Sequence, residues 1–306
     1  MKLTHLAVTN WRNFAHIEFD MSSRLFVVGP NSSGKTNLLG ALRFLGDIGR
    51  RGLVAASEDL GGPDRYFRSG ADSASFVATF DDTQNSAEFA LFLRLMSVGS
   101  ESTKRGSDAD QESAFPMTDP LTGEPNDRYL DVQYTITAGG KKPVDGGESF
   151  PVEDEEAWRT KVRHILSGIR YIHPNPKKML ERADRYDPDH GTGFFQHAGR
   201  FSDRQLDAAL DRIRPIMAAA VPEVPNLSYL RMGLGTEVVF YSDTPDPGAR
   251  GVYSHEQFSE GTLRLLGMLF DLAMLPLTTS IVLIEEPETF LQASVVRSMS
   301  SFLAEV

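Results

Sequence analysis

The residue types at positions 29–36 could bind the phosphates of a nucleotide. They are Gly-Pro-Asn-Ser-Ser-Gly-Lys-Thr and match the pattern G-x-x-x-x-G-K-[ST]. Glycines allow successive backbone N–H groups to turn toward phosphate oxygens, Lys35 adds a full positive charge, and Thr36 offers a hydroxyl to Mg²⁺. The pattern therefore predicts a phosphate-binding loop that includes Asn31, Ser32, Ser33, Gly34, Lys35 and Thr36.

The flanking residues predict the elements that would position this loop. The apolar run 24–28 before it indicates a buried strand, and the apolar spacing after it indicates a helix to about residue 48. A helix start adds its positive dipole to an anion site. A plain glycine turn before a helix is the alternative, and the flanking strand and helix favour the phosphate-binding loop.

A second segment, residues 258–270, begins with Phe-Ser-Glu-Gly-Thr and continues with helical length and an apolar face. Ser259 stands where an N-cap belongs, and Glu260 lies in the first turn. Taken alone, this pattern is typical of a capped, buried helix and of nothing more specific.

A third segment is an apolar run, 281–284, that is followed by Glu285-Glu286-Pro287-Glu288. Carboxylates at the carboxyl end of a buried parallel strand stand beside the phosphate loop in P-loop folds, where one can hold Mg²⁺ and the next can polarise the attacking water. An acidic surface turn after a strand is the alternative. The order and spacing of all three segments favour the catalytic interpretation.

Composition bounds the class of protein. The chain has 306 residues and no cysteine, which excludes disulfides and thiolate metal sites and suits a cytoplasmic location. It contains neither an apolar run of membrane-spanning length nor a signal-peptide pattern, so no membrane partner is expected. A net charge of -11 argues against a surface coated with basic residues for nucleic acid.

The charge is unevenly distributed. Residues 101–158 hold fourteen acidic and five basic side chains, whereas residues 159–214 hold twelve basic and seven acidic ones. The excess of basic residues in 159–214 predicts a basic lobe that binds nucleic acid or an acidic partner. The alternative is a set of helices whose solvated faces carry both charges. Acidic residues interleaved with the basic ones favour mixed faces.

Hydropathy patterns predict further elements along the chain. Residues 50–73 are predicted to be a loop region and residues 97–127 a flexible insertion. Helices are expected at 154–167 and 203–219, and strands at 2–9, 13–20, 74–80, 87–96, 128–137, 169–172, 226–232 and 236–241.

Taken together, the motifs resemble those of ABC-type ATPases of the RecF/OLD/SMC group, in the AAA-ATPase-like (AAA_21/AAA_15) branch associated with DNA repair and anti-phage defence. The segments that carry the resemblance are Asn10-Trp11-Arg12-Asn13-Phe14, Gly-Lys-Thr-Asn-Leu-Leu, Phe-Ser-Glu-Gly-Thr and Ile-Glu-Glu-Pro-Glu. The loop occurs in many NTPases, whereas the last two segments are specific to this group.

The resemblance implies an α/β P-loop NTPase fold, an ABC-type head with an antiparallel β subdomain and a helical lobe that carries the signature motif. It implies one head over 1–306. Its parts would be a nucleotide-binding core (1–50 and 275–306), a hairpin-rich part (74–150, with the insertion 97–127) and a helical lobe (154–270). The resemblance also implies a further strand and a switch histidine beyond Val306, so we expect either that the sequence lacks its C-terminal part or that the remaining part is supplied elsewhere.

The resemblance also implies roles for individual residues, with ATP and Mg²⁺ as cofactors. Arg12, Asn13 and Asn37 would bind the nucleotide beside the loop, whereas Ser259 and Gly261 would cap the γ-phosphate held by the other head. Glu285, which stands where ABC ATPases usually carry Asp, would hold Mg²⁺ with Thr36, and Glu286 would position the water, with Lys35 assisting. His173 or Asn175 would be the Q-loop equivalent, unless this segment is only a strand-ending turn.

Three functions remain open from the sequence. The first is an ATP-hydrolysing switch that dimerises head to head, or forms a larger oligomer, and acts on DNA or on an effector protein such as a nuclease. The second is an ATP-gated scaffold that does not hydrolyse. The third, a transporter ATPase subunit, is disfavoured by the Arg-Asn-Phe strand and the Glu-Glu-Pro-Glu turn.

Overall fold

The computed structural model describes residues 2–82, 87–97, 130–138, 155–187, 189–243, 252–289 and 296. The chain divides into two compact units. The first contains Met1–Arg170 and Thr278–Ile281, and the second contains Tyr171–Leu277 and Val282–Val306. Most of the predicted insertion 97–127 lies outside the described residues.

The first unit is built around an antiparallel sheet with the strand order β2-β1-β3-β4-β5. Alternation of apolar residues produces these strands, since Leu6 and Val8 of the first strand both point into the core and are fully buried. The predicted strands are confirmed as β1 (Lys2–Trp11), β2 (Phe14–Asp20), β3 (Ser73–Asp82), β4 (Ala87–Ser97) and β5 (Leu130–Ala138).

The helices of this unit are α1 (Lys35–Arg51), α2 (Leu53–Asp59), α3 (Pro63–Tyr66) and α4 (Glu155–Ser167). The predicted helices after the loop and at 154–167 are thus confirmed. The prediction of a loop at 50–73 is wrong in part, because α2 and α3 form there. Leu53 and Ala56 of α2 are buried, and that packing stabilises a helix too short to be evident from its periodicity.

The predicted buried strand at 24–28 is wrong. These residues have no regular secondary structure, and the side chains of Phe26 and Val28 are 67% and 91% exposed. An apolar run becomes a strand only where a neighbouring strand accepts its backbone hydrogen bonds. None of the described strands pairs with this segment.

An aromatic cluster fixes the end of β1 against α1. The rings of Trp11, Phe44, Tyr66 and Phe76 lie with centroids 5.2–5.8 Å apart. The indole Nε1 of Trp11 donates to the carbonyl oxygen of Asn37 at 2.9 Å. The hairpin tip that follows Trp11 is therefore held beside the first turn of α1.

The second unit packs helices against a small antiparallel sheet with the strand order β7-β8-β9. Its core includes Phe194, Phe240 and Phe270, all fully buried. The elements from residue 176 to residue 273 are α5 (Pro176–Met179), α6 (Phe194–Ala198), α7 (Asp203–Ala220), β7 (Ser228–Met232), β8 (Glu237–Asp243), β9 (Val252–Ser254) and α8 (Glu260–Ala273).

Two short strands, β6 (Ile169–Ile172) and β10 (Ile281–Ile284), form a separate two-stranded sheet. The N–H of Ser280 donates to the carbonyl of Gly168 at 3.0 Å, and the N–H of Glu285 donates to the carbonyl of Ile172 at 3.4 Å. The paired residue numbers rise together, so the two strands are parallel. Their carboxyl ends therefore meet in the second unit.

Candidate functional site

The phosphate-binding loop leads directly into α1. Gly34 is the N-cap residue, with φ at 101°, and no side chain caps this helix start. The backbone at Ser32 is also left-handed, with φ at 64°. Left-handed residues and an uncapped helix start allow N–H groups to point at a bound anion.

Lys35 lies over this loop. Its Nζ donates to the carbonyl oxygens of Gly29 at 2.7 Å and Pro30 at 2.9 Å. Both acceptors are uncharged, so the ammonium keeps its charge available to a phosphate. Ser33, whose N–H donates to Pro30 at 3.3 Å, and Thr36 in the first turn of α1 complete the predicted loop.

The tip of the β1–β2 hairpin packs against the loop. Nη1 of Arg12 donates to Oδ1 of Asn37 at 3.1 Å, and Nδ2 of Asn37 donates to Oδ1 of Asn13 at 2.7 Å. Arg12 has a left-handed backbone, with φ at 48°. The structure thus places Arg12, Asn13 and Asn37, which the resemblance implicated, beside Gly34.

Gly34 has no room for a side chain. A Cβ at this position would lie 2.5 Å from Nδ2 of Asn13 and 2.8 Å from Cζ of Phe14. At Gly40 of the same helix, the nearest atoms to a Cβ are 3.9 Å away and belong to the flexible Arg12 side chain. The two glycines therefore form a matched pair for mutation.

We expect Gly34→Ala to weaken ATP binding at least tenfold, because a Cβ there strains the left-handed backbone and displaces the hairpin tip. Gly40→Ala should bind ATP normally and should stabilise α1 by about 0.5–1 kcal/mol. Fluorescent ATP titration and thermal unfolding of both variants measure this. Equal ATP affinities would show that the close packing at Gly34 has no role in binding.

In the second unit, Ser259 caps α8. Its Oγ accepts from the N–H of Thr262 at 3.1 Å and lies 2.8 Å from the hydroxyl of Thr262. Ser259 is exposed, and Gly261 lies in the first turn. The predicted N-cap is confirmed, and the serine that caps α8 is an exposed residue.

The acidic turn follows β10 at the carboxyl end of the two-stranded sheet. The hydroxyl of Tyr171 donates to Oε2 of Glu285. Glu286 is exposed and has a left-handed backbone, with φ at 46°. The hydroxyl of Thr289 donates to Oε2 of Glu286 at 3.2 Å. The two carboxylates therefore differ in setting, since Glu285 is half-buried and Glu286 faces solvent.

The two Q-loop candidates have different surroundings. The side chain of Asn175 caps α5 by accepting from the N–H groups of Lys177 and Lys178 at 3.0 and 3.3 Å, which fits a strand-ending turn. His173 is half-buried, and burial together with the positive charge of Arg264 lowers its pKa, so it is neutral at pH 7.

Arg264 is a residue that the sequence reasoning missed. It lies in α8 with only 3% exposed, and it donates to the carbonyl oxygens of Pro174, Glu285 and Glu286. Its position within the apolar run 263–270 was the available signal, because a buried arginine requires acceptors.

The residues present fit ATP and Mg²⁺. The glycine loop and Lys35 suit phosphate oxygens, and the Thr36 hydroxyl and the Glu285 carboxylate are hard oxygen ligands of the kind Mg²⁺ prefers. Across the described ranges, no cluster of three or more His, Cys, Asp or Glu side chains could hold a metal.

Four of the basic residues in 159–214 form ion pairs in the described part of the chain. Lys178 pairs with Glu181 at 3.1 Å, Arg214 with Asp211 at 2.9 Å, Lys177 with Glu260 at 3.7 Å, and Arg182 with Glu237. These pairs support mixed solvated faces over a continuous basic lobe.

In the described part of the chain, no helix is both long and apolar enough to cross a membrane.

Comparison with known proteins identifies the family. The family model described as "AAA domain, putative AbiEii toxin, Type IV TA system" (AAA_21) matches residues 25–305. A stretch of 51 residues is 43% identical to DNA replication and repair protein RecF of Leifsonia xyli subsp. xyli. That stretch covers 16% of this chain and only 13% of RecF.

Among solved structures, the SMC head domain from Thermotoga maritima matches with a TM-score of 0.49 and 15% identity, covering 100% of this chain and 85% of that one. The family match confirms the predicted α/β P-loop NTPase fold and the resemblance to the RecF/SMC group. The chain belongs to the AAA_21 family of AAA domains.

Proposed function

We propose that the protein is an ATP-hydrolysing switch whose heads dimerise around bound ATP. The observation that carries the proposal is that one chain presents two different helix starts suited to anions. The start of α1 has no side-chain cap and follows the glycine loop with Lys35, and the start of α8 is capped by Ser259, an exposed residue. The first would hold the nucleotide of its own head, and the second would contact the γ-phosphate held by the partner head.

Each site residue has a distinct task in this proposal. Lys35 would neutralise phosphate charge. Thr36 and Glu285 would each offer an oxygen ligand to Mg²⁺, which would supply charge stabilisation at the transferred phosphate. Glu286, exposed at the end of β10, accepts a hydrogen bond from the attacking water. Tyr171 orients the carboxylate of Glu285 through its hydroxyl.

The proposed dimer is a two-state device. Loss of the γ-phosphate on hydrolysis removes the anion that Ser259 and Gly261 contact, so the partner heads separate. The switch would act on DNA or on an effector protein such as a nuclease, in DNA repair or anti-phage defence. The description of the matched family as a toxin–antitoxin domain, and the local identity to a DNA repair protein, support this direction.

An ATP-gated scaffold that does not hydrolyse remains the alternative because it would use the same binding residues. The exposed carboxylate of Glu286 favours hydrolysis. Turnover of ATP by the purified protein distinguishes the two, since a scaffold would bind ATP without releasing phosphate.

We expect Ser259→Arg to block ATP-dependent dimerisation without weakening ATP binding by the monomer. The larger side chain would fill the space at the start of α8 where the γ-phosphate held by the other head would bind. Analytical ultracentrifugation with ATP, in the slowly hydrolysing Glu286→Gln background, tests this directly. Ser202→Arg is the matched control, since Ser202 is an exposed N-cap of α7 in the same unit.

The control should dimerise, although loss of its cap costs stability, on the order of 1 kcal/mol. Continued dimerisation of Ser259→Arg, or loss of ATP binding by its monomer, would show that α8 does not act on the partner's nucleotide.

A further inference from the structure

Arg264 is a buried cation that the proposed mechanism does not yet use. It lies five residues after Ser259 in α8 and is 3% exposed. Burial of a guanidinium is costly unless its N–H groups are hydrogen-bonded. Burial lowers the pKa of Arg264, whereas the nearby carboxylates of Glu286 and Glu288 favour its charged form.

Three main-chain carbonyls accept its hydrogen bonds. Nη1 donates to the oxygen of Pro174 at 3.0 Å, and Nη2 donates to the oxygens of Glu285 at 3.0 Å and Glu286 at 2.9 Å. One residue of α8 thus joins the segment after β6 to the acidic turn after β10. Only the planar fork of arginine can reach acceptors in both segments, because the ammonium of lysine is a single point.

Arg264 contacts the acidic turn at Glu286, the residue whose backbone conformation is strained. Glu286 has a φ of 46°, which an L-residue adopts only when its surroundings hold it there. Arg264 bonds the carbonyls of Glu285 and Glu286, on either side of the Glu286 Cα. The N–H of Thr289 donates to the same Glu286 oxygen at 3.0 Å. Arg264 and Thr289 therefore fix the direction in which the Glu286 carboxylate leaves the turn.

We propose that Arg264 is a positioning residue that holds Glu286 in its reactive orientation and transmits displacements of α8 to it. This inference rests on the proposed function. A helix rises about 1.5 Å per residue, so Arg264 lies roughly 7 Å along α8 from the Ser259 cap. A γ-phosphate that binds at the start of α8 and shifts this helix therefore also shifts the carbonyl groups of the acidic turn that Arg264 contacts. Binding of ATP in the partner head thereby changes the position of the Glu286 carboxylate, which serves the ATP of its own head.

The test uses Arg264→Lys and Arg264→Gln. We expect kcat, measured per nucleotide-bound protein, to fall about 10- to 100-fold while ATP affinity changes less than twofold. In the Glu286→Gln background, the same changes should produce no further loss, because Arg264 acts through Glu286. Arg231→Lys is the matched control, since Arg231 also donates to three main-chain carbonyls, those of Gly199, Phe201 and Gly235.

A merely structural role for Arg264 predicts a different outcome. Its variants would then lose stability as Arg231→Lys does, while the folded fraction kept the parent kcat. An unchanged kcat, or losses that multiply with Glu286→Gln, would overturn the inference and leave the proposed function intact. If Glu286→Gln itself hydrolyses ATP at the parent rate, the assignment within the proposed function has failed instead.

A second measurement tests the inference without substituting the buried Arg264. Amide hydrogen exchange at residues 284–289 is compared in the parent and in Ser259→Arg, each with saturating ATP. Because Glu285 would bind the Mg²⁺ of the head's own ATP in both proteins, transmission through α8 predicts greater ATP-dependent protection of this turn in the parent than in Ser259→Arg. Equal protection in both proteins, or none in a parent that dimerises, would overturn the inference even where the Arg264 variants do not fold.

Discussion

Glu286→Gln is expected to leave ATP binding intact and to slow hydrolysis by about two to four orders of magnitude. The amide keeps the size of the side chain and loses the carboxylate that accepts the hydrogen bond of the attacking water. Contacts to the phosphates lie elsewhere, so affinity should hold. Phosphate release in multiple turnover, with ATP affinity measured separately, gives both quantities.

Glu288→Gln is the control for this change, because Glu288 is exposed in the same acidic turn and has no assigned role. It should hydrolyse at close to the parent rate. A Glu286→Gln variant with parent activity would move the water-positioning role to Glu285 or Glu288.

Lys35→Ala has the largest effect expected on binding. It removes the one charged residue in the segment 29–36, and loss of a charge-assisted phosphate contact costs on the order of several kcal/mol. ATP binding should become unmeasurable by calorimetry, while the fold is retained because Nζ contacts only the carbonyls of Gly29 and Pro30 among the described hydrogen bonds.

Lys178→Ala provides the comparison, since Lys178 is an exposed lysine of α5. It should bind ATP as the parent does. Unchanged ATP affinity in a folded Lys35→Ala variant would remove the loop from the binding site.

Local patterns in the sequence were sufficient where a segment's own neighbours determine its structure. The alternation in β1 and the apolar spacing of α1 and α7 each predicted an element that the structure contains. The run 24–28 failed because a strand depends on a partner strand, which the composition of the run itself does not specify. The short helix α2 was missed because its stability comes from the burial of Leu53 and Ala56.

The candidate site shows the same division. The glycine turn before α1 and the Ser259 cap are local motifs, and the structure contains a helix start after Gly34 and an N-cap at Ser259. Arg264 was not, since its acceptors at Glu285 and Glu286 are 21 and 22 positions away in the sequence. The hydrogen bond between Asn37 and Asn13 spans 24 positions and likewise required the folded chain.

The central claim is that ATP brings two heads together. Sedimentation velocity of Glu286→Gln, with Mg²⁺ and either saturating ATP or saturating ADP, tests it most directly. We expect a dimer with ATP and a monomer with ADP, because only ATP supplies the γ-phosphate that Ser259 and Gly261 would contact. The same sedimentation coefficient with both nucleotides, at saturation confirmed by direct binding, would contradict the account.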